Sequence, residues 1–226
     1  MVPDATGRFR NRPFYEDEEL DDLCEQIVLS YMDKRGKLVY PIPTNDLLIL
    51  LEREAQDLDT YADLSGEGES VEGVTDFFPG KKPKVRIAKS LSNCPTEHRL
   101  RTTLAHEFGH AKFHAPLYDQ FALRNGDASP RCKRENIVGA AKVDWMEWQA
   151  GYVCGALLMP IGHLNRLIGD FMERHRWYGQ MYAEYPKALQ LIELISTTYN
   201  VSLQAARVRL LVRGVLSEEP IRPFFR

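Results

Sequence analysis

The sequence predicts an α+β fold, mostly helical, with a small antiparallel sheet and a helical C-terminal element. Three observations carry that expectation. Apolar residues recur at three- and four-residue spacing in several stretches of helix length. Two short apolar runs flank PGKKP at 79–83, which has turn chemistry. The composition, 44% hydrophobic and 27% charged, is that of a globular chain and not of a disordered, collagen-like or coiled-coil one. At 226 residues the chain could form one generous domain or a main body with a small appendage, and the second is expected. The divisions are a loose N-terminus over 1–14, a main domain over 15–175 and a helical element over 176–226.

Residues 1–14 are polar, with scattered arginines and no periodic pattern, which predicts a loose segment. From Tyr15 to Met32, the residues Leu20, Leu23, Ile27 and Met32 fall close to helical spacing, and acids fill the first turns where the helix dipole favours them. VYPIPTNDLLILLEREA reads as an extended, proline-marked link, then Thr44 or Asn45 as N-cap of a second helix ending near Ala55. The strands are expected around Val71 to Phe78 and Val85 to Ala88. Thr96 and Glu97 precede a third helix, His98 to His114, with Leu100, Leu104, Phe108 and Ala111 on its apolar side and Pro116 as its stop. Residues 117–135 read as loop, NGDASPRCKRE being the clearest breaker cluster. A fourth helix should run from about Val143 until Pro160, and GHLNRLIGDFMERH adds a short one. PKALQLIELISTTY and SLQAARVRLLVRG are two further helices joined at Asn200 to Ser202. No internal repeat or low-complexity tract is visible.

A net charge of -3 provides no basic field over the whole molecule, so nucleic-acid binding would need a local patch. Cys24, Cys94, Cys132 and Cys154 are far apart and form no C-x-x-C pair, which fits a reducing cytoplasm better than a disulfide framework. The N-terminal stretch has no apolar core of signal-peptide length, and no later run approaches a membrane span. A cytoplasmic protein is expected.

The chemistry points to TTLAHEFGHAKFH, 102–114. Residues four apart share a helix face, so His106 and His110 can aim two imidazoles at one point, with Glu107 about one hundred degrees round beside it. In H-E-x-x-H sites both histidines bind zinc, and the glutamate, which is not a ligand, takes a proton from zinc-bound water. Zinc lowers the pKa of that water to about 7, which makes hydrolysis of a polarised carbonyl feasible at neutral pH. The bland alternative is a helix with hydrogen-bonded core histidines. Two histidines and a carboxylate beside Leu104, Ala105 and Phe108 would be costly to bury unpaired, which favours the metal.

A catalytic zinc has three protein ligands and an open position. The H-E-x-x-H-x-x-G-x-x-H solution is excluded, because Phe113 and Pro116 occupy the places of its glycine and third histidine. His114 lies one turn further along the same face, but three ligands on one straight helix span about 12 Å of rise, too far to converge. The better candidate is Glu147 on WMEWQAGYVCGALLMP, where Ala150, Gly151 and Gly155 would let that helix approach the first closely. Asp144, Asp119, Asp127 and Glu135 are the reserves.

VEGVTDFF, RTTLAHEFGHAKFH and MEWQAGYVCGALLMP, in that order, resemble the ImmA/IrrE metallo-endopeptidases over roughly residues 70–165. The resemblance implies a zincin-like metalloprotease core, zinc held by His106, His110 and Glu147, and Glu107 as general base. It implies a helix-turn-helix transcriptional repressor as substrate, and a helix-turn-helix-like element after the core, here at the C-terminus. The chain departs from the family pattern at Gly151 and Val153, where asparagine and phenylalanine are usual. Thermolysin-like relatives carry an acid one turn after the glutamate ligand that orients a zinc histidine; Ala150 and Gly151 stand here, so the orienting group is sought elsewhere, with Asp144 the candidate. His163, Tyr152, Tyr118 and Arg99 remain open as the group that stabilises an oxyanion.

Arg207, Arg209 and Arg213 in the last helix could enter a DNA groove, but Glu218 and Glu219 lie just beyond and no lysine or aromatic cluster joins them. Packing or substrate docking is the favoured role of that element. The expected function is therefore a cytoplasmic, zinc-dependent endopeptidase acting on a helix-turn-helix repressor. The alternative is a non-cleaving regulatory module that uses the same fold to bind a repressor or DNA.

Overall fold

The computed structural model describes the chain except for residues 35, 37–38, 69, 95, 119–130, 135–143 and 221–226, and describes 131–134 by backbone alone. Helices make up 56% of it and the strands form small sheets, so the fold is α+β and mostly helical. In chain order the elements are β1 Val2–Pro3, β2 Asn11–Arg12, α1 Asp17–Asp33, α2 Thr44–Glu54, β3 Asp57–Ala62, β4 Gly73–Phe78 and β5 Lys81–Ala88. Then follow α3 His98–Gly109, a π-helical turn His110–His114, β6 Arg131–Arg134, α4 Trp145–Leu158 and α5 Ile161–Arg174. The chain continues through β7 Met181–Tyr182, α6 Pro186–Tyr199, α7 Leu203–Val212 and β8 Leu216–Ser217.

The sheet is larger than expected and not wholly antiparallel. Its order is β3-β5-β4-β6, with β4 antiparallel to both β5 and β6, but β3 parallel to β5. The segment DLDTYA of β3 alternates exposed and half-buried residues with acids on its open face, a weak signal for a strand at a sheet margin. β6 lies inside the stretch expected to be loop, where Gly73↔Arg134 to Asp76↔Arg131 pair along β4. Backbone hydrogen bonding to a partner strand, not side-chain pattern, makes RCKR a strand.

The N-terminal residues are packed where a loose segment was expected. β1 and β2 pair, and between them Asp4 accepts from Thr6 and Phe9 N–H and from the Trp145 indole at 3.0 Å. Arg8 reaches Asp144 at 2.6 Å. Partners 136 and 141 residues away hold this hairpin down, which no local pattern announces.

The main apolar core runs from Leu20 through α2, β5, α3 and α4 to Leu210 and Leu216, so the described part of 176–226 shares the core of the main body, and smaller clusters form around Phe77 and Val74. On α3, Leu104, Ala105 and Phe108 are buried there; burial of a leucine or phenylalanine side chain contributes about 1.5–3 kcal/mol. Arg101, on the same helix and itself buried, donates to the carbonyls of Ile42, Tyr199 and Asn200 at 2.6–3.1 Å. A cation there satisfies carbonyls at the C-terminus of α6 that would otherwise be buried without donors, tying the C-terminal helices to α3.

α6 and α7 are joined by three residues. Asn200 takes the left-handed conformation at φ 50°, and the Ser202 side chain caps α7 by accepting from Ala205 N–H. The arginines of α7 do not face Glu218 and Glu219. Arg209 and Arg213 both bind Asp21 of α1, at 2.5 and 3.0 Å, and Arg207 binds Glu184. No described helix is long and apolar enough to cross a membrane.

Candidate metal centre

α3 delivers both motif histidines, and its end is unusual. Pro116 does not stop the helix at once: helical backbone continues to Tyr118 through the π turn, in which Ala115 N–H bonds to the His110 carbonyl. A proline ring clashes with the carbonyl four residues back, and a widened turn just before it gives that carbonyl room. The π turn carries His110 and His114, both fully buried.

α4 crosses α3 where Gly109 meets Ala150. A methyl group on Gly109 would stand 3.0 Å from the Ala150 Cα, so the glycine is what allows the helices to approach. Gly151 and Gly155, expected at this contact, face elsewhere: a Cβ on Gly151 would meet nothing within 4 Å, and one on Gly155 would meet Arg209 Cδ at 3.5 Å. The crossing carries Glu147 to the histidines. His106 Nε2 and His110 Nε2 are 3.1 Å apart, and the two Glu147 oxygens lie 3.2 Å from His106 Nε2 and 3.3 Å from His110 Nε2. These three residues form a group that could hold a metal ion. Four-coordinate zinc with ligands at about 2.0–2.1 Å spaces adjacent donors by about 3.3 Å, so the donor set fits such an ion without rearrangement. Burial raises the Glu147 pKa, but hydrogen bonds and charge from His106 and His110 outweigh it and hold the carboxyl well below the usual range. It is an anion at any working pH, as a ligand must be.

Glu107 points to the sheet side. Thr75 of β4 donates its hydroxyl to Glu107 Oε2 at 2.6 Å, and a Cβ on Gly73 would overlap the same carboxylate, 2.8 Å from its Cδ. Strand β4 therefore forms a cradle that only glycine at 73 can form. VEGVTDFF reads as a strand from sequence; its role in seating Glu107 emerges only when the strand is laid on α3.

His114 is not in the metal group, and its ring supports that group from behind. Gln149 Oε1 lies 2.8 Å from His114 Nε2, and His114 Nδ1 lies 2.9 Å from His110 Nδ1. An amide oxygen can only accept, so His114 Nε2 carries a proton. Burial, and then the neighbouring His110, push the His114 pKa well below its ordinary value, so the ring is neutral and its Nδ1 is an acceptor. His110 Nδ1 therefore donates, which leaves His110 Nε2 with a lone pair directed at the metal position. The chain Gln149, His114, His110 thus selects the tautomer a metal needs.

Asp144, the expected orienting group, does something different. It caps α4 by accepting from Met146 N–H and pairs with Arg8. Among the other reserves, 119, 127 and 135 lie outside the described residues. Of the oxyanion candidates, Tyr152 donates to Asp21, His163 bonds Tyr199 and stacks on Tyr40, and Tyr118 stacks on Phe77. Arg99 pairs with Glu72.

No protein family, curated protein or solved structure matches this chain.

Proposed function

We propose that the chain is a zinc-dependent endopeptidase with a zincin-like core, and that its substrate is a helix-turn-helix transcriptional repressor. One observation carries the reading: two imidazoles and an anionic carboxylate from separate helices face one point, and Glu107, the residue after His106, has its carboxylate fixed by a strand. His106, His110 and Glu147 would hold the ion. Bound there, zinc supplies Lewis acidity toward a carbonyl and makes water acidic near neutral pH. Glu107 accepts the proton that water gives up and returns it to the departing amine nitrogen. Thr75 and Gly73 keep that carboxylate in one orientation, so the base is preorganised rather than found by chance rotation. The substrate class rests on the resemblance of the three motif blocks to the ImmA/IrrE proteins. DNA contact by the C-terminal helices is disfavoured, since Arg207, Arg209 and Arg213 are engaged in ion pairs within the chain.

The test compares wild type with Glu107→Gln, measuring bound metal and then incubating each with a co-encoded repressor. Zinc should remain in both and cleavage should vanish in the variant. Equal cleavage by the two proteins would refute the assigned base. Binding of the repressor by both with cleavage by neither would replace the enzyme with a regulatory binding module.

A further inference from the structure

The helix stripes that carry the metal ligands continue past them. On α3, His110 and His106 are followed toward the N-terminus by Thr102 and His98, each four residues on; on α4, Glu147 is followed by Gly151 and Gly155. Residues four apart lie on one face. The two helices run antiparallel, with Gly109 against Ala150 and the Cys154 thiol bonded to the Thr102 carbonyl at 3.4 Å. These stripes face a groove of about 520 Å³, lined by Arg99, Thr102, Gly151 and Gly155 and walled on its far side by Val208 and Val212 of α7. Val208 and Val212 are 45% and 47% exposed, one turn apart. Gly151 forms the floor with open space before it.

We propose that this groove takes an extended segment of the protein substrate immediately beside the scissile bond, and that it selects large apolar side chains at the second and fourth residues from that bond. The assignment rests on the metal centre being the cutting point. Along α4, Gly151 and Gly155 lie about 6 and 12 Å beyond Glu147, at 1.5 Å per residue. An extended peptide advances about 3.3 Å per residue and turns alternate side chains to one face, so its second and fourth residues arrive near about 6.6 and 13 Å, both facing the floor. Gly151, with nothing within 4 Å, then stands where a side chain is admitted, Gly155 lies against the aliphatic part of Arg209 at 3.5 Å, and the valines of α7 supply the apolar wall. The C-terminal helical element becomes one side of the specificity groove, which explains why Arg101, Arg209 and Arg213 pin it to the main body.

The test uses dye-labelled ten-residue peptides built of glycine and serine with leucine at two alternate positions, and matched peptides with serine in their place. Binding to the zinc-loaded protein is followed by fluorescence polarisation, and cleavage of a mixed peptide library is read by mass spectrometry. Gly151→Leu fills the floor, and leucine is the better helix former, so the fold should persist. Val208→Glu challenges the opposite wall without touching α4, and zinc content with circular dichroism checks both proteins. Leucine peptides should bind wild type and Glu107→Gln alike, and about tenfold more weakly to either groove variant. Library cuts by wild type should be enriched for large apolar residues at the second and fourth places, and Gly151→Leu should lose the preference at the second. Unchanged binding and an unchanged cleavage profile in Gly151→Leu would overturn the groove while leaving the endopeptidase standing. Leucine-dependent binding lost in the groove variants, with no cleavage by any protein, would sink the endopeptidase and keep the groove.

Discussion

Replacing Gln149 with leucine removes the carbonyl that accepts from His114 Nε2–H at 2.8 Å. The site is fully buried, so the N–H has no water to turn to, and an unpaired buried donor costs about 1–3 kcal/mol. His114 can escape that cost by moving its proton to Nδ1. There it would meet His110 Nδ1–H at 2.9 Å, donor against donor, and His110 could relieve the clash only by protonating Nε2, the atom facing the metal. Either way the metal loses: the ligand is misaligned, or its lone pair is occupied. Partners of this kind are worth about 10–100-fold in metal affinity, or about 1.4–2.7 kcal/mol, which falls within the donor cost just reasoned. Gln149→Glu keeps an acceptor in place and should bind zinc at least as well as wild type. Competition with a chromophoric chelator gives the affinities without requiring a substrate, and the absorption of bound cobalt reports the geometry. A folded Gln149→Leu protein that holds zinc as tightly as wild type would refute the relay.

Two further outcomes are expected. Gly73→Ala drives a methyl into the Glu107 carboxylate, nearest to its Oε1, so the carboxylate must shift by about 1 Å to reach ordinary contact, and misplacement on that scale costs about 10²-fold in rate. Zinc should be retained, because no ligand is touched; full activity in a Gly73→Ala protein would show that the cradle does not position the base. Asp21→Ala leaves Arg209 buried without its carboxylate, and breaking a buried pair from one side costs about 3–5 kcal/mol. Urea unfolding measures this directly, and a loss below about 1 kcal/mol would mean that the Arg209 and Arg213 pairs do not anchor α7.

Much of this arrangement was legible because it is local. The four-residue spacing of His106 and His110 puts two imidazoles on one face of any helix that forms, and the periodicity of α1 and α3 favours those helices, while α4 is apolar on nearly every side. Glu147 could be nominated from its helix and its resemblance to a motif, with the small residues nearby as a second hint. That hint was right for Ala150, which makes the close contact against Gly109, and wrong for Gly151 and Gly155, which line a groove instead. The strands flanking PGKKP were visible for the same local reason, a turn between two apolar runs.

What the sequence by itself determined is the inventory: which helices form, which two histidines share a face, and which acids were available to join them. Tertiary structure decided the partners. β3 and β6 are strands because other strands present hydrogen-bonding edges to them, and the N-terminal hairpin is packed because Asp4 and Arg8 find Trp145 and Asp144. His114 became a support for His110 rather than a ligand because Gln149 arrives from another helix, and Gly73 matters only where β4 lies on Glu107. Helical pitch is a property of neighbouring residues, whereas these contacts join groups tens of residues apart, and only the packing of α3, α4 and β4 together selects them.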